Sequence, residues 1–190
     1  MNSKKSWLIM FNIFAILLAL FLIGRGWQRR QNTQLSGDCP DLPLSKIKEP
    51  DAISITLKQG ESKTELIKQN GAWQVITNEG GKPADEEKIK QVLLTLSTAQ
   101  CGNLASANPS HRTDFGLDEE HLLQIEIKNQ NEEITKFWIG KVAMVPQTTY
   151  ISQPDSDKTY TLKSNVRTML TADYNDWAKK EEKTEEQQNP

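Results

Sequence analysis

The chain has 190 residues, with 23 Lys and Arg against 25 Asp and Glu, and a formal net charge of −2. Five of the basic residues precede residue 31 and none of the acidic ones do, so residues 31–190 carry 18 minus 25, or −7. A body of that sign excludes nucleic-acid binding through a basic face and is repelled by anionic lipid headgroups.

The first predicted element is a transmembrane helix over about residues 7–24. From Trp7 to Gly24 the sequence WLIMFNIFAILLALFLIG holds one clearly polar residue, Asn12, and no charge. At about 1.5 Å per residue this run is roughly 27 Å long, enough to cross a hydrocarbon layer of about 30 Å with help from its flanks. Lys4 and Lys5 precede it, Arg25, Arg29 and Arg30 follow it, and Trp7 and Trp27 stand at its ends, where amphipathic rings favour the headgroup level. The sequence after the apolar run, GRGWQRRQ, is bulky and basic, so a retained anchor is expected over residues 1–30 in place of a cleaved signal peptide. The flanking positive charges are balanced and do not set the orientation.

Residues 31–50 contain three prolines and one glycine with no apolar period, which reads as a linker. A globular domain is expected over 51–178 and a charged tail over 179–190. The chain has two cysteines, Cys39 and Cys101, both beyond the anchor. One disulfide between them in an oxidising compartment and two unrelated thiols are both open readings; neither cysteine belongs to a CxxC motif. In the chain-entropy model a bridge of that span would stabilise by roughly 4 kcal/mol.

Within the body, ISITLKQ alternates through Ile53, Ile55 and Leu57 as a half-buried strand does. TELIK follows the turn QGES as a second strand, the Asn70-Gly71 step favours a tight hairpin, and AWQVIT returns with Trp73 and Val75 on one face. Pro83, Asp85, Glu86 and Glu87 then open a helix whose Ile89, Val92, Leu93 and Leu96 make one apolar stripe, with Gly102 as its stop. LLQIEIK, EITKFWIG, TTYIS and KTYTL supply four further strands. Val166, Met169, Leu170, Tyr174 and Trp177 recur at helical spacing and predict a closing helix from about Asn165. The expected fold is therefore α+β: antiparallel β-meanders each followed by a helix, β-β-β-α then β-β-β-β-α, preceded by one transmembrane helix.

The segments GAWQV, DFGLDEEHLLQIEI and FWIGK, followed by TTYIS and KTYTL, resemble the domain of unknown function 4340 family. The matching positions are Trp73, Phe115-Gly116-Leu117-Asp118, Ile139-Gly140-Lys141 and Tyr150, over roughly residues 53–165. Where members often carry proline two residues after the Asp, this chain has Glu120. The resemblance implies an extracytoplasmic, often membrane-anchored module with no established activity, some members lying in transporter and gliding-motility gene neighbourhoods. It favours an amino terminus inside and a body outside the cell membrane.

The stretch HRTDFGLDEEH, residues 111–121, holds both histidines. His111, Asp114, Asp118, Glu119, Glu120 and His121 offer metal donors, but the spacing matches neither H-E-x-x-H nor a calcium loop. A structural turn accounts for more of it: Phe115 and Leu117 anchor the loop, Gly116 takes a positive φ and Asp118 caps the entry to the next strand. Ser110-His111 has no nucleophile-elbow context, and Gly80-Gly81-Lys82 lacks the surrounding P-loop pattern, so neither an enzyme nor a cofactor is expected. Trp73, Trp138, Tyr150 and Tyr160 lie on strands, where packing is the usual role. Trp138, out of phase with Phe137 and Ile139, is the strand aromatic expected to face outward, and with Tyr150 it is a candidate for interaction. Two functions follow as expectations: a noncatalytic accessory or assembly subunit of a membrane complex such as a transporter, or an envelope module binding a glycan or peptide between the two repeats.

Overall fold

The computed structural model describes residue 42 and residues 44–180. The expected transmembrane helix, Cys39 and the tail beyond 180 lie outside the described residues. Among the described residues no helix is long and apolar enough to cross a membrane.

The body is built on one nine-stranded antiparallel sheet. A first meander comprises β1 (Ala52–Gln59), β2 (Ser62–Gln69), β3 (Ala72–Thr77) and β4 (Gly80–Pro83). Helix α1 (Glu86–Thr98) and β5 (Cys101–Ser106) follow, and a second meander comprises β6 (Leu123–Asn129), β7 (Ile134–Val142), β8 (Thr149–Ser152) and β9 (Thr159–Leu162). The order across the sheet is β4-β3-β2-β1-β6-β7-β8-β9-β5, so β1 and β6 join the meanders and β5 closes the far edge on β9.

Alternation explains most of these strands. Leu123, Ile125 and Ile127 of β6 and Phe137 and Ile139 of β7 point into one core, while the residues between them are exposed or half-buried. In β1 the register shifts between Ala52 and Ser54, so Ala52, Ile55 and Leu57 are buried and Ile53 is only half-buried. The chain reverses at Asn70-Gly71, both with positive φ, between the paired residues Gln69 and Ala72.

Helix α1 begins where the sequence places it. The Asp85 carboxylate accepts a hydrogen bond from the Lys88 amide at 3.0 Å, capping the first turn, and Ile89, Val92, Leu93 and Leu96 are buried. Its end comes four residues before Gly102: Ala99 is extended, and the Thr95 and Thr98 hydroxyls donate to the Gln91 and Leu94 carbonyls. Gly102 lies inside β5, where an added Cβ would collide with the Thr161 hydroxyl. The absence of a side chain there is therefore a packing requirement of the sheet edge.

The repeated β-β-β-α architecture is overturned. The fold is mainly β, with one α-helix among the described residues and no second one after β9. The predicted closing helix is replaced by 3-10 turns at Val166–Thr168 and Tyr174–Asp176. Of the five residues at helical spacing, Val166, Leu170 and Trp177 are in the core, Met169 is partly buried and Tyr174 is exposed, so the spacing does not mark one continuous helical face. The backbone takes another path because its polar groups find partners outside a helix. Asp173 Oδ1 accepts from the Asn175 amide, the Thr64 hydroxyl donates to the Ala172 carbonyl at 2.7 Å, and the Thr149 hydroxyl donates to the Ser164 carbonyl at 2.8 Å.

Both flanks of the body contribute to the core. Leu42, Leu44 and Ile47, from the proline-rich segment read as a linker, are buried, and the 3-10 turns at Leu44–Lys46 and Glu49–Asp51 pack against α1. At the other end, Ala178 bridges to Ala84 and the Lys179 amide donates to the Pro83 carbonyl at 2.9 Å. Cys101 is a buried half-cystine at the start of β5.

Candidate functional site

The two short motifs FGLD and IGK meet in space. Residues Pro109–His111 and Thr113–Phe115 form successive 3-10 turns that end at Gly116, whose φ of 65° is left-handed. The Gly116 amide donates to the Thr113 carbonyl and the Leu117 amide to the Arg112 carbonyl, closing the turn. This segment lies across the end of β7. A Cβ on Gly116 would sit 3.0 Å from the Lys141 nitrogen, and one on Gly140 would collide with the Phe115 carbonyl oxygen. Leu117 is buried, and the Phe115 ring packs on Tyr150 at 4.7 Å between centroids.

Trp138 faces away from the core, as its phase predicts, and is half-buried. It is not a bare recognition residue, because the Arg112 guanidinium covers its ring at 5.1 Å while donating to the Ser156 carbonyl at 2.8 Å. Tyr150 is likewise half-buried and occupied by Phe115. The two aromatic candidates thus hold the motif loop to the sheet. Ser110 donates its hydroxyl to Asn108 at 2.9 Å, and Gly80-Gly81-Lys82 forms strand β4 against β3, which accounts for both of the weaker chemical patterns in structural terms.

Asp118 closes the motif. Its carbonyl accepts from the His121 and Leu122 amides, and its carboxylate accepts from the His121 ring Nδ1 at 2.6 Å. The hydrogen bond to His121 holds the Asp118 carboxyl below its ordinary range, against a smaller opposing effect of burial. The same bond raises His121 above the ordinary imidazole value, helped by the Asp118 charge and, more weakly, by Glu120. Because the His121 pKa is raised, its contribution to stability is present in full below about pH 6.5 and fades as pH rises through the folded value. Because the Asp118 pKa is lowered, its contribution is present above about pH 3.9 and is lost as pH falls through the folded value. The pair is strongest between those limits. In an NMR titration the His121 ring should therefore have a midpoint above about 6.5, and Asp118→Asn should bring it down. A midpoint that Asp118→Asn leaves unmoved would show that the pair does not form in solution.

Asp118, Glu120 and His121 can each present one ligand atom within 4.8 Å of the others. His111 is not in this group, so the two histidines are not brought together as metal donors. The group is mostly exposed, and a cavity beside it opens among cations: Lys141 from β7 and Arg167 from the 166–168 turn line it together with Gln59, Gly116, Asp118 and His121. Two fixed positive charges at that wall oppose a divalent cation. The Arg167 guanidinium donates to the Gln59 side-chain oxygen at 3.1 Å, and burial alone pushes its pKa down. Gln59 and Arg167 could not be found by sequence pattern, because each is a single polar residue, 108 positions apart, within no motif.

The fold and site define a mainly-β domain in which a glycine-dependent loop is locked across a meander. Residues 73–189 match the model of the family described as a domain of unknown function, DUF4340, and the chain belongs to that family. No curated protein and no solved structure matches the chain.

Proposed function

We propose that this protein is a noncatalytic, membrane-anchored extracytoplasmic module that serves as an accessory or assembly subunit of a membrane complex such as a transporter. The observation that carries this reading is the loop between β7 and β8. Val142, the last residue of β7, and Met144 and Val145 of the loop are 41%, 98% and 63% exposed, followed by Pro146, in a body whose other large apolar residues are mostly buried. The loop is shaped by its own hydrogen bonds. The Ala143 amide donates to the Thr148 carbonyl at 2.8 Å, and the Thr148 hydroxyl donates to the Val145 carbonyl at 2.6 Å. A tip whose backbone is tied by these bonds loses less backbone entropy on docking than a free loop, and its exposed apolar side chains favour a partner surface. The net charge of −7 over residues 31–190 argues for a protein partner over an anionic lipid surface.

A half-cystine at Cys101 supports a body outside the cytoplasm, in the oxidising compartment to which a retained anchor over residues 7–24 would deliver it. Pairing of Cys101 with Cys39 is part of this proposal. The alternative of an envelope module that binds a glycan or peptide has no groove between two β-β-β-α repeats to occupy, since among the described residues no second helix follows β9.

Crosslinking in intact cells, purification of the full chain in mild detergent and mass spectrometry test the reading. A stoichiometric membrane protein should be recovered with crosslinks at the β7–β8 loop, and Met144→Glu should reduce its recovery at least about tenfold without changing the thermal midpoint. Partnerless protein, or recovery unaffected by Met144→Glu, would overturn it.

A further inference from the structure

We infer that the cavity between the end of β1, the 113–121 turn, β7 and the 166–168 turn is a binding site for the oxyanion group of a small ligand, gripped by Arg167 and Lys141. Its volume is about 260 Å³, which suits a small carboxylate or phosphate compound and is too small for a folded segment or an oligosaccharide. The inference is independent of the apolar loop and of its partner.

The central observation is the state of Arg167. Its side chain is half-buried on a core-packed turn between the buried residues Val166 and Leu170, and the charge is desolvated. A guanidinium in such a place normally meets a carboxylate. Here its described hydrogen-bond partner is the neutral side-chain oxygen of Gln59, and no ion pair among the described residues includes it. Lys141, on the same cavity wall, is also outside every described ion pair.

One carboxylate also lines the cavity, that of Asp118, whose Oδ2 is buried and has no hydrogen-bond partner. Asp118 is bonded through Oδ1 to His121, at the edge of the cavity, so it satisfies neither Arg167 nor Lys141 by any described contact. Two fixed cations against one carboxylate leave the cavity positive, and a positive concavity in a body of charge −7 is a local inversion of the protein's sign. Arg167 supplies a planar fork of N–H donors that matches two oxygens of a carboxylate or phosphate, and Lys141 supplies a point charge to a third position. Gln59 fixes the guanidinium by accepting from one of its nitrogens at 3.1 Å, leaving donors for the ligand.

The test is isothermal titration calorimetry on the full-length chain in detergent at low ionic strength, with succinate and with inorganic phosphate as separate probes. At least one should bind saturably, and Arg167→Gln and Lys141→Gln should each weaken that binding at least about tenfold while the circular dichroism spectrum is unchanged. Binding of succinate alone assigns a carboxylate ligand, binding of phosphate alone assigns a phosphate ester, and binding of both assigns the shared oxyanion. No saturable heat from either probe, or equal affinity in wild type and variants, overturns the inference. Should Arg167→Gln fail to fold, Lys141→Gln on exposed β7 backbone decides the matter by itself.

Discussion

Trp177→Ala should lower the stability of the folded body by roughly 3–5 kcal/mol and its thermal midpoint by more than about 10 °C. The indole is fully buried, although it lies near the end of the described chain. Its ring N–H donates to the Thr171 carbonyl at 3.0 Å, and the Lys88 ammonium stands over the ring at 4.6 Å. The Trp177 carbonyl accepts from the amide of Asp85, the residue that caps α1, at 2.8 Å. One side chain therefore fills the core between the first meander and the last turn while its backbone steadies the start of the helix. Truncation would leave a cavity and free the carboxy-terminal segment together. Trp177→Phe should cost less, because it keeps most of the ring volume and loses the hydrogen bond. Thermal melts followed by circular dichroism would measure both; an alanine variant melting within about 1 °C of wild type would show that the segment does not pack on the core.

Gly140→Ala should cost about 1–3 kcal/mol, a large penalty for one methyl group. The added carbon would run into the Phe115 carbonyl oxygen and approach Leu117 Cγ at 3.2 Å. The nearer obstacle is backbone, which cannot turn aside as a side chain does, so β7 and the motif loop must separate. Gly81→Ala is the matching control. Its added carbon meets the side-chain oxygen of Gln74, the far end of a flexible side chain on an edge of the sheet, so the change should stay within about 0.5 kcal/mol. Denaturant unfolding of the two variants separates these outcomes. Equal stability of Gly140→Ala and wild type would mean that the loop is not seated on β7. The same displacement should also move the His121–Asp118 pair, since both residues continue from the loop that Gly140 receives.

Much of the sheet was legible because alternating apolar residues leave a simple trace. β1, β2, β3 and β6 to β9 each follow such a run, and α1 announces itself through Asp85 and the stripe from Ile89 to Leu96. β4 and β5 left no such trace: GGKP and CGNLAS are edge segments, exposed over most of their length, and gain their structure from a neighbour. The segment after β9 shows the opposite failure. Val166, Leu170 and Trp177 have helical spacing, yet successive 3-10 turns also bring residues at such intervals to one side, and Asp173 and the threonines around it divert the hydrogen bonds. The roles of Phe115, Gly116, Leu117, Asp118 and Gly140 as a structural turn could be proposed from residue type. Their mutual contact could not, because it depends on the pairing of β6, β7 and β8. Arg167 was legible only as one member of a wrongly drawn helix, so its separation from any carboxylate had no sequence signal.

The pairing of β1 with β6 has a kinetic meaning. It sets Ser54 opposite Lys128, while each meander is otherwise assembled from neighbouring strands. The two meanders can zip locally and early, but joining them closes a long loop, and that entropic cost is met only when the central strands touch. Trp177 adds a further condition, since the core beneath α1 is unfilled until that residue arrives. During synthesis the central strands are both present once residue 129 has emerged, so the sheet has its strands well before the residue that fills the core beneath α1.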